Sequence, residues 1–218
     1  MMMNRTRDEL IDRLAADLPS GQPRWHIKSQ AALWLLFSTL VVILLLMMMG
    51  PLRPGVVDQL LTVPRFLLET LLGATAITLL ALLAVKTAVP AASTLKLVGF
   101  TVLITLLWLS NYVIGLYLPT MELGMLGKRD YCLWETLVYA LPTMVLGFWL
   151  VNKAYVVNWP VTGLIIGAVA GLIPGYLMQL ACMYDAEHIL IAHIGPVLPV
   201  MLLGVLAGFV FQHQANKK

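Results

Sequence analysis

Charge is scarce in this chain: Asp, Glu, Lys and Arg make up only 11% of its 218 residues, where a soluble domain carries about a quarter. Cysteine is scarcer still, with Cys132 and Cys182 the only two. No C-x-x-C pair occurs, so the close dithiol that membrane thiol oxidoreductases cycle is absent. No serine- or carboxylate-based catalytic motif is present either, and the chain reads as a non-enzyme. Its apolar runs are continuous rather than alternating, which excludes a membrane β-barrel. A cleavable leader would need a short basic start and a compact apolar core. Here 28 mostly polar residues precede the first apolar run, and that run is full length.

What the chain has in abundance is apolar sequence. Apolar residues are 60% of the total, and mean hydropathy is +0.88. By the criterion of roughly 20 residues per span, six transmembrane helices are expected: Ser29–Met49, Phe66–Val85, Leu97–Leu118, Leu133–Val151, Val161–Ala181 and Ile189–Phe211. The breaks between them (Gly50–Pro64, Lys86–Lys96, Pro119–Tyr131, Asn152–Pro160 and Cys182–His188) carry Pro, Gly or charge. The fold class is therefore all-α, a polytopic membrane bundle with the lipid bilayer as its solvent.

Basic residues near span ends orient such a bundle. Six spans put both termini on one side, with Arg5, Arg7, Arg13, Arg24, Lys28, Lys86, Lys96, Lys153, Lys217 and Lys218. The other side holds only Arg53, Arg65, Lys128 and Arg129. Both termini are expected in the cytoplasm.

That topology puts the two cysteines at one level. Cys132 opens span four and Cys182 closes span five, and the break joining these spans is short, so the two should be antiparallel neighbours. The midpoint between positions 132 and 182 is residue 157, inside that break. Helices leaving one turn rise about 1.5 Å per residue, so the cysteines reach nearly the same height on the outer, disulfide-permissive side. Whether they face each other is a matter of helix rotation, which the sequence leaves open. A bridge, shared ligation of one ion, and simple packing of two small residues all fit.

Further ligand-type residues lie nearby. The stretch "CMYDAEHILIAH" sets Asp185, Glu187, His188 and His193 after Cys182, and Asp130 and Glu135 flank Cys132. Thiolate and imidazole together suit zinc or another thiophilic ion, although C-x5-H-x4-H is not the spacing of a zinc finger or a metalloprotease. His193 lies about one turn inside span six, where a polar side chain needs a partner. A small transporter is the main alternative class. It would need polar groups near the bilayer midplane, and Asn111 and the carbonyls freed by Pro174 are the only candidates.

Two other features stand out. Gly163, Gly167, Gly171 and Gly175 recur at every fourth position, giving span five a smooth face for close helix packing or for a homodimer. Pro174, Pro196 and Pro199 should kink the outer halves of spans five and six. Before the membrane, Thr6 and Glu9 have capping-box spacing. Leu10, Ile11, Leu14 and Leu18 then form an apolar stripe on a short cytoplasmic helix ended by Pro19 and Gly21. A helix this short is marginal alone in water, so its stripe wants a protein partner.

The segments "LIDRLAADL", "RDYCLWE" and "CMYDAEHILIAH" resemble the NrsF-like membrane anti-sigma factors, six-span proteins of the bacterial inner membrane. The resemblance covers essentially the whole chain. It implies that residues 1–28 bind an extracytoplasmic-function sigma factor, that residues 29–211 form the transmembrane domain, and that residues 212–218 are a cytoplasmic tail. It also implies that Cys132 and Cys182 sense oxidant or heavy metal, with His188 and His193 as the family histidines. Members commonly carry an aromatic residue before the second histidine; this chain departs from them with Ala192. No nucleic acid is expected as a partner.

Overall fold

Among the described residues six long apolar helices form a bundle, as their lengths in sequence require. The computed structural model describes residues 26–89, 93–120, 127–154 and 156–217. The helix expected over residues 6–18, with Leu10, Ile11, Leu14 and Leu18, lies outside the described residues.

The elements are α1 (Ile27–Met49), α2 (Val56–Thr62), α3 (Pro64–Thr87), α4 (Leu95–Gly115), α5 (Cys132–Val151), α6 (Trp159–Ala181) and α7 (Ala186–Ala215). All but α2 are long and apolar enough to cross a membrane, and there is no strand among the described residues. The short α2 was not expected, because Gly50–Pro64 reads as a break. It fits between the left-handed Gly55, at φ 74°, and Pro64, which is barred from continuing a helix but opens α3 at its first turn. Starts elsewhere use side-chain caps. Thr94 accepts from the N–H of Leu97, and Asn158 from that of Val161.

α6 is the hub, packing against α1, α3, α5 and α7. In its most apolar window 78% of residues are buried, against 17% for α4, which leans mainly on α3. The glycine stripe makes the hub possible. A Cβ on Gly163 would stand 2.2 Å from the carbonyl oxygen of Gly204, and one on Gly167 2.7 Å from that of Val200. Gly208 meets Trp159 in the same way, at 2.4 Å. The stripe thus faces α7 of the same chain, and a second copy would have to use another face. α1 joins the bundle by a narrow seam of Ala31, Trp34, Ser38, Val42 and Leu46. Its Trp34 lies over Gly147 and donates to the Thr143 carbonyl oxygen at 3.0 Å. Outside the seam, Leu36, Phe37, Leu44 and Met48 point outward, as side chains facing lipid do.

The internal prolines behave differently from one another. Pro142 and Pro174 sit within continuous α5 and α6. α7 instead opens with a turn of α-helix at Ala186–His188, a π-helical turn at Ile189–Ile194 and then α-helix from Val197. The wide turn is closed by the Gly195 N–H donating to the Leu190 carbonyl at 2.8 Å. Pro196 and Pro199 lack the amide protons that an α-helix would need there, which favours this wider spacing.

Candidate functional site

At one end of the bundle the first residue of α5 meets the residue just past α6. The Sγ atoms of Cys132 and Cys182 are 2.9 Å apart as free thiols, and both are buried. His188 Nε2 lies 3.4 Å from the Cys182 sulfur. The His188 and His193 rings meet edge to face at 5.0 Å between centroids. One ligand atom from each of Cys132, Cys182, His188 and His193 falls within 4.8 Å of every other.

Local structure explains each placement. The Asp185 side chain caps the His188 N–H at 3.2 Å and starts α7 beside the thiols. The π turn then carries His193 back onto the same centre. Gly175 lets the His193 backbone approach, since a Cβ there would stand 2.4 Å from the His193 carbonyl oxygen. His193 is fully buried and neither ring nitrogen has a hydrogen-bond partner among the described residues. A buried imidazole without partners is costly, and an ion at the centre of the four donors would satisfy it. Hydrogen bonding with Cys132, and after it with His188, holds the Cys182 thiol below its ordinary range against the opposing effect of burial.

The donor set fits a thiophilic ion in chemistry and in span. Donors about 2.0–2.3 Å from one tetrahedral centre stand roughly 3.3–3.8 Å from each other, so this cluster needs side-chain shifts of the order of 1 Å. The neighbouring acids do not join it. Glu135 pairs with Arg129 at 3.2 Å, Asp185 serves as the cap, and Asp130 and Glu187 are outside the cluster.

A family model described as negative regulator of sigma F (NrsF) matches residues 14–212, nearly the whole chain. The chain belongs to the NrsF family. It is thus a negative regulator of a sigma factor, and its six apolar helices make it a membrane protein. No curated protein and no solved structure matches it.

Three residues of this NrsF protein went unnoticed in the sequence. Arg129 and Arg53 counted there only as outer-side charge, yet both touch the cysteine segments. Arg129 accepts the Cys132 thiol on its carbonyl at 3.2 Å, and Arg53 Nη1 donates to the Cys182 carbonyl at 3.4 Å. Burial lowers the pKa of Arg53. The third is Glu69, hidden in the second apolar run and wholly buried. Its carboxylate accepts from Tyr184 at 2.5 Å and from Thr120 at 3.2 Å, and Arg65 lies 3.6 Å away. Burial, and then Glu69, hold the Tyr184 phenol above its usual range, so it remains a donor. An ionisable residue amid the run "PRFLLETLL" was the one available signal.

Proposed function

We propose that the chain is an anti-sigma factor of the bacterial inner membrane, with both termini cytoplasmic, and that it senses through its buried Cys/His centre. Residues 1–28 hold an extracytoplasmic-function sigma factor on the stripe of Leu10, Ile11, Leu14 and Leu18, residues 29–211 form the membrane domain, and residues 212–218 are the tail. Cys132, Cys182, His188 and His193 form the sensor. The observation that carries the sensing role is the convergence of these four donors within 4.8 Å in a sigma-factor regulator with no other cysteine.

Two inputs suit the centre. Zinc or another thiophilic ion would be held by Cys132 and Cys182 as thiolates and by neutral His188 and His193, and it would supply a charge-neutralising cross-link between α5, α6 and α7. An oxidant would take two electrons and two protons from the paired thiols, leaving a Cys132–Cys182 disulfide. Both inputs change how α5, α6 and α7 pack, and the bound sigma factor is then released.

Magnitudes distinguish the two inputs. Moving the complex from 99% bound to 99% free requires a differential of about 5.5 kcal/mol. One disulfide contributes about 2–4 kcal/mol, which is only part of it. Structural zinc sites bind with about 10–16 kcal/mol in total, and an ion held in only one of the two packings of α5, α6 and α7 would supply the remainder from that larger reserve. The test is reconstitution of the full chain with its sigma factor in nanodiscs, followed by addition of Zn2+ or of hypochlorite. Release in the wild type and retention in the Cys132→Ser/Cys182→Ser double variant is the expected result. Equal release from both would overturn the sensing role.

A further inference from the structure

The end of α1 nearest the cysteines is tied to both of them by two arginines that reach in opposite directions. Arg129 precedes Cys132 and takes its thiol on the main-chain oxygen. One Nη of Arg129 donates to the carbonyls of Leu46, Gly50 and Pro51 at 3.3, 2.9 and 3.1 Å, while the other pairs with Glu135. Arg53, just beyond α1, runs the other way. Its N–H donates to the Leu180 carbonyl and its Nη1 to that of Cys182, both at 3.4 Å.

These contacts have a physical logic. The Leu46 carbonyl already accepts the Gly50 N–H, the Gly50 and Pro51 carbonyls lie just past the helix, and a cation there faces the negative end of the helix dipole. The guanidinium fork lets one Nη face these carbonyls while the other pairs with Glu135 in a fixed plane, a division that the single nitrogen of an ammonium does not offer. Arg129 therefore belongs mechanically to α1 as well as to Cys132. Arg53 is only 4% exposed, lies over the rings of Phe66 and Tyr184, and leaves Nε and Nη2 without partners among the described residues.

We infer that Arg129 and Arg53 are the positioning residues through which the state of the cysteine pair reaches α1 and, at its other end, residues 1–25. The inference rests on the sensing role proposed above. One arginine is anchored to the Cys132 segment and the other to the Cys182 segment, yet both meet at the same helix end. A change in the separation of the two sulfurs therefore moves the anchors relative to each other. α1 carries that displacement along its axis as a packed unit, since elements of a close-packed bundle shift between discrete arrangements rather than deform.

The experiment uses the full chain in lipid nanodiscs, with hydrogen exchange followed with and without Zn2+. The variants are Arg129→Gln, Arg53→Gln and the conservative Arg129→Lys, with helical content checked by circular dichroism. In the wild type Zn2+ should alter exchange around Cys132 and Cys182 and also in residues 1–28, the latter by about fivefold or more, the low end of ordinary allosteric coupling. In the Gln variants the change around the cysteines should persist while that in residues 1–28 vanishes. Arg129→Lys should keep only part of it, and this variant decides the matter if a Gln variant fails to fold. A full response in residues 1–28 of all three variants overturns the inference. If neither Zn2+ nor hypochlorite changes exchange around the wild-type cysteines, the sensing role falls and takes the inference with it.

Discussion

Gly175 and the backbone of His193 are in direct apposition, with room for no more than a hydrogen between them: a Cβ at 175 would stand 2.4 Å from the His193 carbonyl oxygen. Gly175→Ala must therefore push the π turn of α7 away from α6. Overpacking of this kind costs about 1–3 kcal/mol. Because the displaced element carries a proposed ligand, Zn2+ affinity should fall by about 10- to 100-fold, as when a ligand loses its support. Competition with a chromophoric chelator measures the affinity, and thermal unfolding the stability. Unchanged affinity in a folded variant would exclude His193 as a ligand.

Cys132→Ser and Cys182→Ser should each lower Zn2+ affinity by more than about 100-fold, a larger loss than for a supporting residue. The double variant should resemble the singles, because neighbours acting as one unit are not additive. Calorimetric titration of the purified protein gives all three values. Additive losses would separate the two cysteines into independent roles.

The Tyr184–Glu69 contact makes a stability prediction. Tyr184→Phe removes the donor to a buried carboxylate, at a cost of about 1–3 kcal/mol. Glu69→Ala should be at least as damaging, because it removes the acceptor of both the Tyr184 and Thr120 hydroxyls and leaves them only each other, whereas Glu69→Gln keeps an acceptor and should cost less. Thermal denaturation in detergent ranks the three. An order in which Gln is worse than Ala would refute the hydrogen-bond account.

Leu14→Asp and Leu18→Asp test the N-terminal stripe. Each buried leucine contributes about 1.5–3 kcal/mol, so each substitution should weaken sigma-factor binding by at least roughly 10- to 150-fold. Membrane insertion should be unaffected, since both lie ahead of α1. Co-purification of the sigma factor at wild-type levels with both variants would remove the stripe as the binding surface.

The spans were legible because the signal is local. A run of about 20 apolar residues has one stable solution in a bilayer, a helix with its backbone hydrogen bonds closed internally. Ser29–Met49 and Val161–Ala181 as expected became Ile27–Met49 and Trp159–Ala181, each two residues longer at its N-terminal end, where in the second the Asn158 side chain caps the helix. The common height of Cys132 and Cys182 followed from the same arithmetic, with a fixed rise per residue counted in both directions from residue 157. The family was legible too, in "RDYCLWE" and "CMYDAEHILIAH".

Rotation was not legible, because a helix hydrophobic on all sides carries no face in its own pattern. The rotation of α6 was set by Gly163, Gly167 and Gly175 lying against α7, and that setting turned Cys182 toward Cys132 instead of lipid. The π turn at Ile189–Ile194 required prolines and a glycine contact acting together, and it alone brought His193 into the centre. Arg53 and Arg129 read in the chain only as charge on a side of the membrane, and Glu69 only as a lone acid within an apolar run. Their roles depend on carbonyls and hydroxyls far away in sequence, Leu46 for Arg129 and Tyr184 for Glu69. Composition and spacing determined which segments enter the membrane and at what depth, since those depend on transfer from water to lipid. Only close packing between helices decided which side chains meet, because in lipid the fit of one surface against another has to supply what hydrophobicity cannot.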